Sequence, residues 1–468
     1  MKSATILAGA LALAAQAVSA EPGIRPDQAK FRELYKELVE TNTTLSAGSC
    51  TLAAERLATR LKAAGFADAD LTAFAVPEKP KEGGLVAVLT GSDAKAKAIL
   101  LLAHIDVVEA KRADWTRDPF SLIEENGYFY ARGASDDKAM AAIFADTMIR
   151  LRAGPRPRRT IKLALTCGEE TNGAFNGAEW LSQNKRALID AEFALNEGGG
   201  GRLGPDGKPA LLALQVSEKT SQDYTIEARN PGGHSSMPRP DNAIYELAAA
   251  IGKIAAYKFP VKIDDTTRAF FSKSGKIAPA PIGAAMIAIA ANPDDKAAEA
   301  LLSRDPLLNS TLRTSCVATL LSGGHAQNAL PQRASANINC RIFPGETIEG
   351  TAAKLAEVIG NPAITVTAKD RRGPPSHPAP LVDKVVKPAE ALAAKYYPGI
   401  QVIPIMSTGA SDSIFLSAVG IPSYGVPGIL YEGDGGGIHG LNERIRVKSV
   451  YEGRDYLFDL VKVYAAGK

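Results

Sequence analysis

Apolar positions fall into two rhythms along the chain. Up to about residue 215, continuous apolar runs recur: GLVAVLTG, AILLLAHIDVV, a Tyr/Phe-rich stretch ending YFYARG, TIKLALTCGEE and AEFALNEGGG. Helical periodicity lies between and before them. DKAMAAIFADTMIRLR has it, and Phe31, Leu34, Tyr35 and Leu38 share one face of an earlier helix that Asp27 can cap. A second helix starts near Thr51, with Leu57 and Leu61 four apart, and Gly65 ends it. Continuous apolar strands alternating with helices predict an α/β sheet covered on both faces.

Near Val216 the rhythm changes. DYTIEARN, RTSCVATLLSGG and QRASANINCRIF alternate as half-exposed strands do. The helix DNAIYELAAAIGKIAAY and an Ala- and Asp-rich helical stretch lie between them, and a helix from Thr347 and the strand ITVTAKD follow. The order β-α-β-β-α-β predicts a small α+β sandwich with helices on one face. Near Ser376 the first rhythm resumes with a long helix, the strand QVIPIM and a final helix from about Ser449. The chain therefore reads as one domain built from 21–215 and 376–468, interrupted by an inserted unit at 216–375.

The 468 residues exceed one ordinary core, and 46% hydrophobic with 22% charged residues describes a globular chain. A net charge of +3 without a basic run implies no nucleic-acid partner. Residues 1–20 differ from the rest. Lys2, the apolar run Ala4–Ala15 and Val18-Ser19-Ala20 match a secretory signal cleaved after Ala20. The run is short of the roughly 20 residues a membrane span needs. Export, periplasmic or secreted, with no membrane attachment after cleavage, is the expectation. The four cysteines, Cys50, Cys167, Cys316 and Cys340, contain no CxxC and so form no paired-cysteine zinc site. Buried thiols or disulfides are both open. Cys316 and Cys340 lie on consecutive strands, equidistant from Asn328. Antiparallel pairing about that point would oppose them within disulfide reach.

Only five histidines occur: His104, His234, His325, His377 and His439. His104 and Asp106 are two apart near a strand end, so they face one side and the carboxylate can orient the imidazole. A strand-end histidine is also commonly just hydrogen-bonded. Asp136 and Asp137 precede a helix, where an N-cap would need only one of them. Glu169 and Glu170 end a buried strand. Adjacent side chains diverge, so one can bind metal while the other serves as general base. Glu197 ends another apolar strand before a glycine turn, and His439 sits in a Gly-rich loop. Carboxyl ends of strands form the crevice of an open α/β sheet. Two histidines and three carboxylates suit two zinc ions sharing one carboxylate.

HIDVV, ARGASDDK, CGEE, NEGGG, GGHSSMP, NALP and IHGLNE, in this order, resemble the zinc metallopeptidase family of glutamate carboxypeptidase, carboxypeptidase S, aminoacylase, acetylornithine deacetylase and succinyl-diaminopimelate desuccinylase. The long insertion and the ending are most similar to the carboxypeptidase S-like branch. The resemblance spans nearly all of the mature chain, and seven motifs in register make it specific. It implies a co-catalytic zinc peptidase domain with a mostly parallel sheet and an inserted lid/dimerisation domain. Asp136 would bridge two Zn2+, or Co2+ or Mn2+ in their place. His104 and Glu197 would complete one site, and Glu170 and His439 the other. Asp106 would orient His104, and Glu169 would be the general base. His234, otherwise readable as a turn histidine, would stabilise the oxyanion, often from a partner subunit. Asn328 and Arg341 match substrate-binding positions, and Gly409 lies in a substrate loop, GASDS. For Arg341 an edge-strand surface charge is the plain alternative. His325 and His377 read as loop histidines without catalytic duty. A cis peptide between Asp136 and Asp137 is implied as well.

These groups suggest hydrolysis of the amide that joins a C-terminal amino acid to a short peptide or an acyl group. An aminopeptidase or small-molecule deacylase with the same metals is the nearest alternative, and a non-catalytic exported binding protein the more distant one. No GxSxG elbow points to a serine hydrolase.

Overall fold

The computed structural model describes residues 24–171, 175–370 and 373–467. The leader expected at residues 1–20 lies outside them. The first helix, Pro26–Glu40, begins one residue before Asp27. Arg25 therefore holds the cap position, and Asp27 lies in the first turn, bonded to the guanidiniums of Arg25 and Arg454. The second helix, Cys50–Ala63, is capped by the hydroxyl of Ser49, and Gly65 follows with φ +95°, a left-handed geometry that favours glycine.

The large sheet has ten strands. Its order is Leu71–Val76, Lys79–Leu89, Ile161–Thr166, Ile99–His104, Phe193–Asn196, Ser423–Gly425, Pro209–Glu218, Gly200–Leu203 and Leu430–Tyr431, and Val402–Ser407 also pairs with Pro209–Glu218. The centre is parallel and the margins carry antiparallel pairs. Alternate residues of Ile99–His104 go to opposite faces, as strand geometry requires. Ile99, Leu101 and Ala103 join the core under Pro26–Glu40, Lys138–Ala153 and Val447–Ala466. Leu100 and Leu102 join a second core beneath Gly177–Asn184 and Ser413–Ala418.

A separate four-stranded antiparallel sheet is ordered Ser315–Gly323, Arg333–Ile342, Thr220–Arg229, Ile364–Ala368. Helices Ala243–Ala256 and Ile348–Ile359 cover one face and enclose its own core around Tyr224, Leu247, Ile338 and Leu355. This is the expected β-α-β-β-α-β order. The Ala- and Asp-rich stretch forms four helices between Asp265 and Leu312 with a further core around Phe271, Met286 and Ile289. These helices lie against the large sheet, where Lys273 Nζ donates to the Val402 carbonyl at 3.0 Å.

Two disulfides are present, Cys50–Cys167 and Cys316–Cys340. Cys316 is paired directly with Cys340 in the antiparallel register, with Cα atoms 4.1 Å apart. The Cys50–Cys167 bond joins the start of a helix to the loop after Ile161–Thr166. Among the described residues no helix is long and apolar enough to cross a membrane.

Candidate metal centre

Three neighbouring parallel strands, Ile161–Thr166, Ile99–His104 and Phe193–Asn196, end at one edge. His104 is the last residue of the middle one. Glu169 and Glu170 follow the first by a short loop, and Glu197 directly follows the third. Asp136 enters from the turn before helix Lys138–Ala153, and His439 from a Gly-rich loop where it adopts φ +59°.

The five side chains converge in two sets that share Asp136. Ligand atoms of His104, Asp136 and Glu197 lie within 4.8 Å of one another, and so do those of Asp136, Glu170 and His439. His104 Nε2 is 3.1 Å from Asp136 Oδ1 and 3.7 Å from Glu197 Oε2. His439 Nε2 is 3.3 Å from Asp136 Oδ2 and 2.8 Å from Glu170 Oε1. Each Asp136 oxygen thus faces one set, as a carboxylate bridging two cations requires. Imidazole and carboxylate donors in groups of three suit zinc and similar divalent ions.

The electrostatics need positive charge. Burial pushes the Glu169 carboxyl well above its usual range, and the Glu197 charge adds to it. Glu197 is raised by burial, partly relieved by His104. Asp137 is pushed up by burial and by the charge of Glu197. Burial pulls His104 down, but Glu197, Asp106 and Asp136 outweigh it and hold the imidazole well above its ordinary value. Hydrogen bonds to Asp136 and Glu170 raise His439 to about 10. A buried acid cluster of this kind is costly unless paired or bound to cations.

Asp106 serves more than His104. His104 Nδ1 lies 3.1 Å from the Asp106 carbonyl oxygen and 3.6 Å from its carboxylate. That carboxylate also accepts the backbone N–H of Glu170 at 3.1 Å, tying the acid pair to the histidine strand. The Asp136–Asp137 peptide is cis. Asp137 occupies the N-cap position but makes no side-chain cap bond, so the capping alternative fails for both aspartates.

Two residues escaped the sequence reading. Glu443 is buried and accepts from the backbone N–H groups of Gly133, Ser135 and Asp136 and from Arg132. It lies in the quoted IHGLNE motif, which was the only signal for it. Asp412 in the GASDS loop is buried and accepts from Thr166 Oγ1 and Asn176 Nδ2. Burial raises its pKa to about 7 despite the Asn176 bond.

The remaining expected residues are more dispersed. Arg341 and Glu169 line one cavity of about 540 Å³ together with Ala410 and Asp412. Arg341 is not on an edge strand, since it is paired with Ser221 on one side and Ser315 on the other. Gly409 donates its N–H to Ser407 Oγ in the loop bordering that cavity. His234 is exposed in a two-residue ribbon with Ala329–Leu330, its Nδ1 2.7 Å from Ser236 Oγ. Asn328 adjoins it, its carbonyl accepting from the Ser235 N–H. Neither belongs to the metal-type groups among the described residues, nor do His325 and His377.

The chain is similar to several known proteins. Human N-fatty-acyl-amino acid synthase/hydrolase PM20D1 is 28% identical over 406 residues, covering 84% of this chain and 79% of that protein. Probable carboxypeptidase S-like 2 of Dictyostelium discoideum is 28% identical over 382 residues, covering 80% and 72%. The crystal structure of the M20 family metallo-carboxypeptidase Sso-CP2 from Sulfolobus solfataricus superposes with TM-score 0.68 at 19% identity, covering 94% of this chain and 100% of that one. The profile of Peptidase family M20/M25/M40 matches residues 100–463, and with its strand-end acids and histidines the chain belongs to that family.

Proposed function

We propose that the protein is a two-metal amidohydrolase that releases a C-terminal amino acid from an N-acyl amino acid or a short peptide. The observation that carries this reading is the pair of ligand sets sharing Asp136, with Glu169 beside them on the cavity that also holds Arg341. The similarity to an N-fatty-acyl-amino acid synthase/hydrolase and to a probable carboxypeptidase S-like protein supports it.

His104, Asp136 and Glu197 would hold one cation and Asp136, Glu170 and His439 the other, with zinc the expected metal and cobalt or manganese able to replace it. Bound there, two divalent cations would acidify a water shared between them and polarise the scissile carbonyl. Glu169 accepts the proton of the attacking water and returns it to the leaving nitrogen as the C–N bond breaks. Arg341 holds the carboxylate of the departing amino acid through its planar fork. Asn328 and the GASDS loop at Gly409 complete the substrate contacts. His234 supplies a donor to the tetrahedral oxyanion.

His234 and Asn328 share an exposed ribbon and belong to neither ligand group of the described residues. We assign them to the site of a partner copy in a homodimer formed through the inserted lid unit, 216–375. The outer edge strand of that unit, Ser315–Gly323, exposes Val317, Leu320 and Leu321 and could meet a second copy. Residues 21–215 and 376–468 form the catalytic domain. Residues 1–20 direct export, and two disulfides accord with an oxidising compartment.

The test is hydrolysis by the zinc-loaded protein of N-acyl amino acids and blocked dipeptides, set against free-amine aminopeptidase substrates, with Glu169→Gln as control. Turnover of the first group that falls about 10²- to 10⁴-fold in the variant, with zinc content unchanged, is expected. Preference for free-amine substrates, or full activity of the variant, would overturn the reading.

A further inference from the structure

We propose that an apolar cavity beside Glu197 is the binding site for a long aliphatic acyl chain on the substrate, an assignment that rests on the amidohydrolase reading. The cavity, about 560 Å³, lies between the helical stretch Asp265–Leu312 and the large sheet. Phe270, Ile277 and Leu307 line it from the helices, and Leu211, Ile405 and Met406 from the strands. Its size falls in the usual range for small-molecule sites, about 300–1,000 Å³.

The position fits the chemistry. Gly198, Arg202, Ala213 and Ile405 line both this cavity and the one that holds Asp136 and Glu197. The two spaces therefore adjoin along these residues, and the apolar one reaches Gly198, one residue beyond Glu197. Arg341 lines a different cavity, with Glu169. A substrate whose carboxylate meets Arg341 and whose carbonyl lies at the five ligands would send its acyl group towards Gly198.

The walls favour hydrocarbon over peptide. Among the described residues Arg202 is the one charged side chain in the lining. Gln215 Nε2 already donates to Glu218, Thr311 Oγ1 to the Leu307 carbonyl, and Ser407 Oγ accepts from Gly409. Ser274 Oγ is buried in the lining without a partner, but one hydroxyl cannot satisfy the several amides of a peptide, whose loss of water there is unfavourable. At the rim Ile277 and Leu307 remain 47% and 50% exposed. An acyl chain would cover both.

The experiment compares kcat/KM of the zinc-loaded full chain across N-acyl derivatives of one amino acid, from acetyl through octanoyl and dodecanoyl to hexadecanoyl. Each fully buried methylene is worth up to about a fourfold gain. The expected result is a steep rise with chain length that levels off when the cavity is full. Ile277→Asp and Leu307→Asp, both at half-exposed positions, should each lower the dodecanoyl-to-acetyl ratio at least about tenfold by placing charge against the chain. Calorimetric titration with dodecanoate gives a second readout without turnover, with binding expected to the parent protein and weakened in both variants. Acetyl and dodecanoyl substrates cleaved equally well, or a ratio unmoved in both variants, would overturn the acyl site while leaving the hydrolase reading intact. If no amide substrate is cleaved, the hydrolase reading fails, and absence of dodecanoate binding would then remove the cavity assignment too.

Discussion

The carboxylate of Glu443 is bonded to the backbone of Asp136, its Oε1 accepting the Asp136 N–H at 3.1 Å. The same group takes the N–H of Ser135 at 2.8 Å and of Gly133 at 3.0 Å, and Arg132 Nη1 at 2.8 Å. One buried carboxylate thus fixes the turn that delivers Asp136, the residue common to both candidate ligand sets. In Glu443→Gln the amide nitrogen must face donors it cannot accept from. Zinc affinity, measured by competition with a chromogenic chelator, is expected to fall about 10- to 100-fold, as for other outer partners of metal ligands. Unchanged affinity would reduce Glu443 to a packing role.

Proton release should accompany metal loading. Without a cation, hydrogen bonds to Asp136 and Glu170 hold His439 up at about 10, and His104 is also raised, burial being outweighed by its acidic neighbours. Metal binding needs neutral imidazole. Zinc titrated calorimetrically near neutral pH should therefore give a heat that depends on the buffer's ionisation enthalpy, and affinity should climb as pH rises. The effect on stability has the opposite sign. In the metal-free chain the raised His439 contributes stability that is full below 6.5 and lost as pH rises through about 10. A heat independent of the buffer would contradict this protonation scheme.

Much of this site was legible along the chain, for a physical reason. Strand parity put His104 and Asp106 on one side, and buried acids at strand ends are costly unless paired or metal-bound, so each candidate ligand carried a local signature. The Cys316–Cys340 bond was legible because a hairpin opposes residues equidistant from its centre. Glu443 was not, since its partners lie about three hundred residues earlier and its local signal, a place in IHGLNE, does not reveal that it is buried against them. The Cys50–Cys167 bond was not, because a helix start and a strand end 117 residues apart meet only through the sheet's crossover. The helices of Asp265–Leu312 were visible as helices, but their seat on Val402–Ser407 depends on tertiary packing.

The two disulfides should separate in function. Loop-closure entropy assigns roughly 5 kcal/mol to the 117-residue separation and roughly 3 kcal/mol to the 24-residue one. Cys167 is two residues from Glu169, so its bond also anchors the loop carrying the acid pair. The double variant Cys50→Ser/Cys167→Ser is expected to lower the unfolding temperature, kcat and zinc affinity together. Cys316→Ser/Cys340→Ser should lower thermal stability and leave zinc affinity unchanged. Equal effects of both pairs on zinc would show that the first bond has no special hold on the centre.

Arg341 provides the sharpest test of where the substrate's carboxylate goes. Its strand is paired on both sides, at Ser221 and Ser315, so the guanidinium is carried on a fixed backbone facing the cavity it shares with Glu169. A hydrogen-bonded charge pair of this kind is worth about 1.5–3 kcal/mol, roughly a 10- to 100-fold effect. Arg341→Ala should therefore lower kcat/KM by that much for substrates with a free C-terminal carboxylate. Arg341→Lys keeps the charge but loses the two-pronged fork, and should recover only part of the loss. A substrate amidated at the same carboxyl has no anion to engage, so neither variant should change its already slow cleavage. The loss should fall mainly on KM, because the carboxylate is bound alike in ground and transition states. If both variants slow the amidated substrate as much as the acid, Arg341 shapes the cavity without reading the carboxylate, and the preference for a free C-terminus must originate elsewhere.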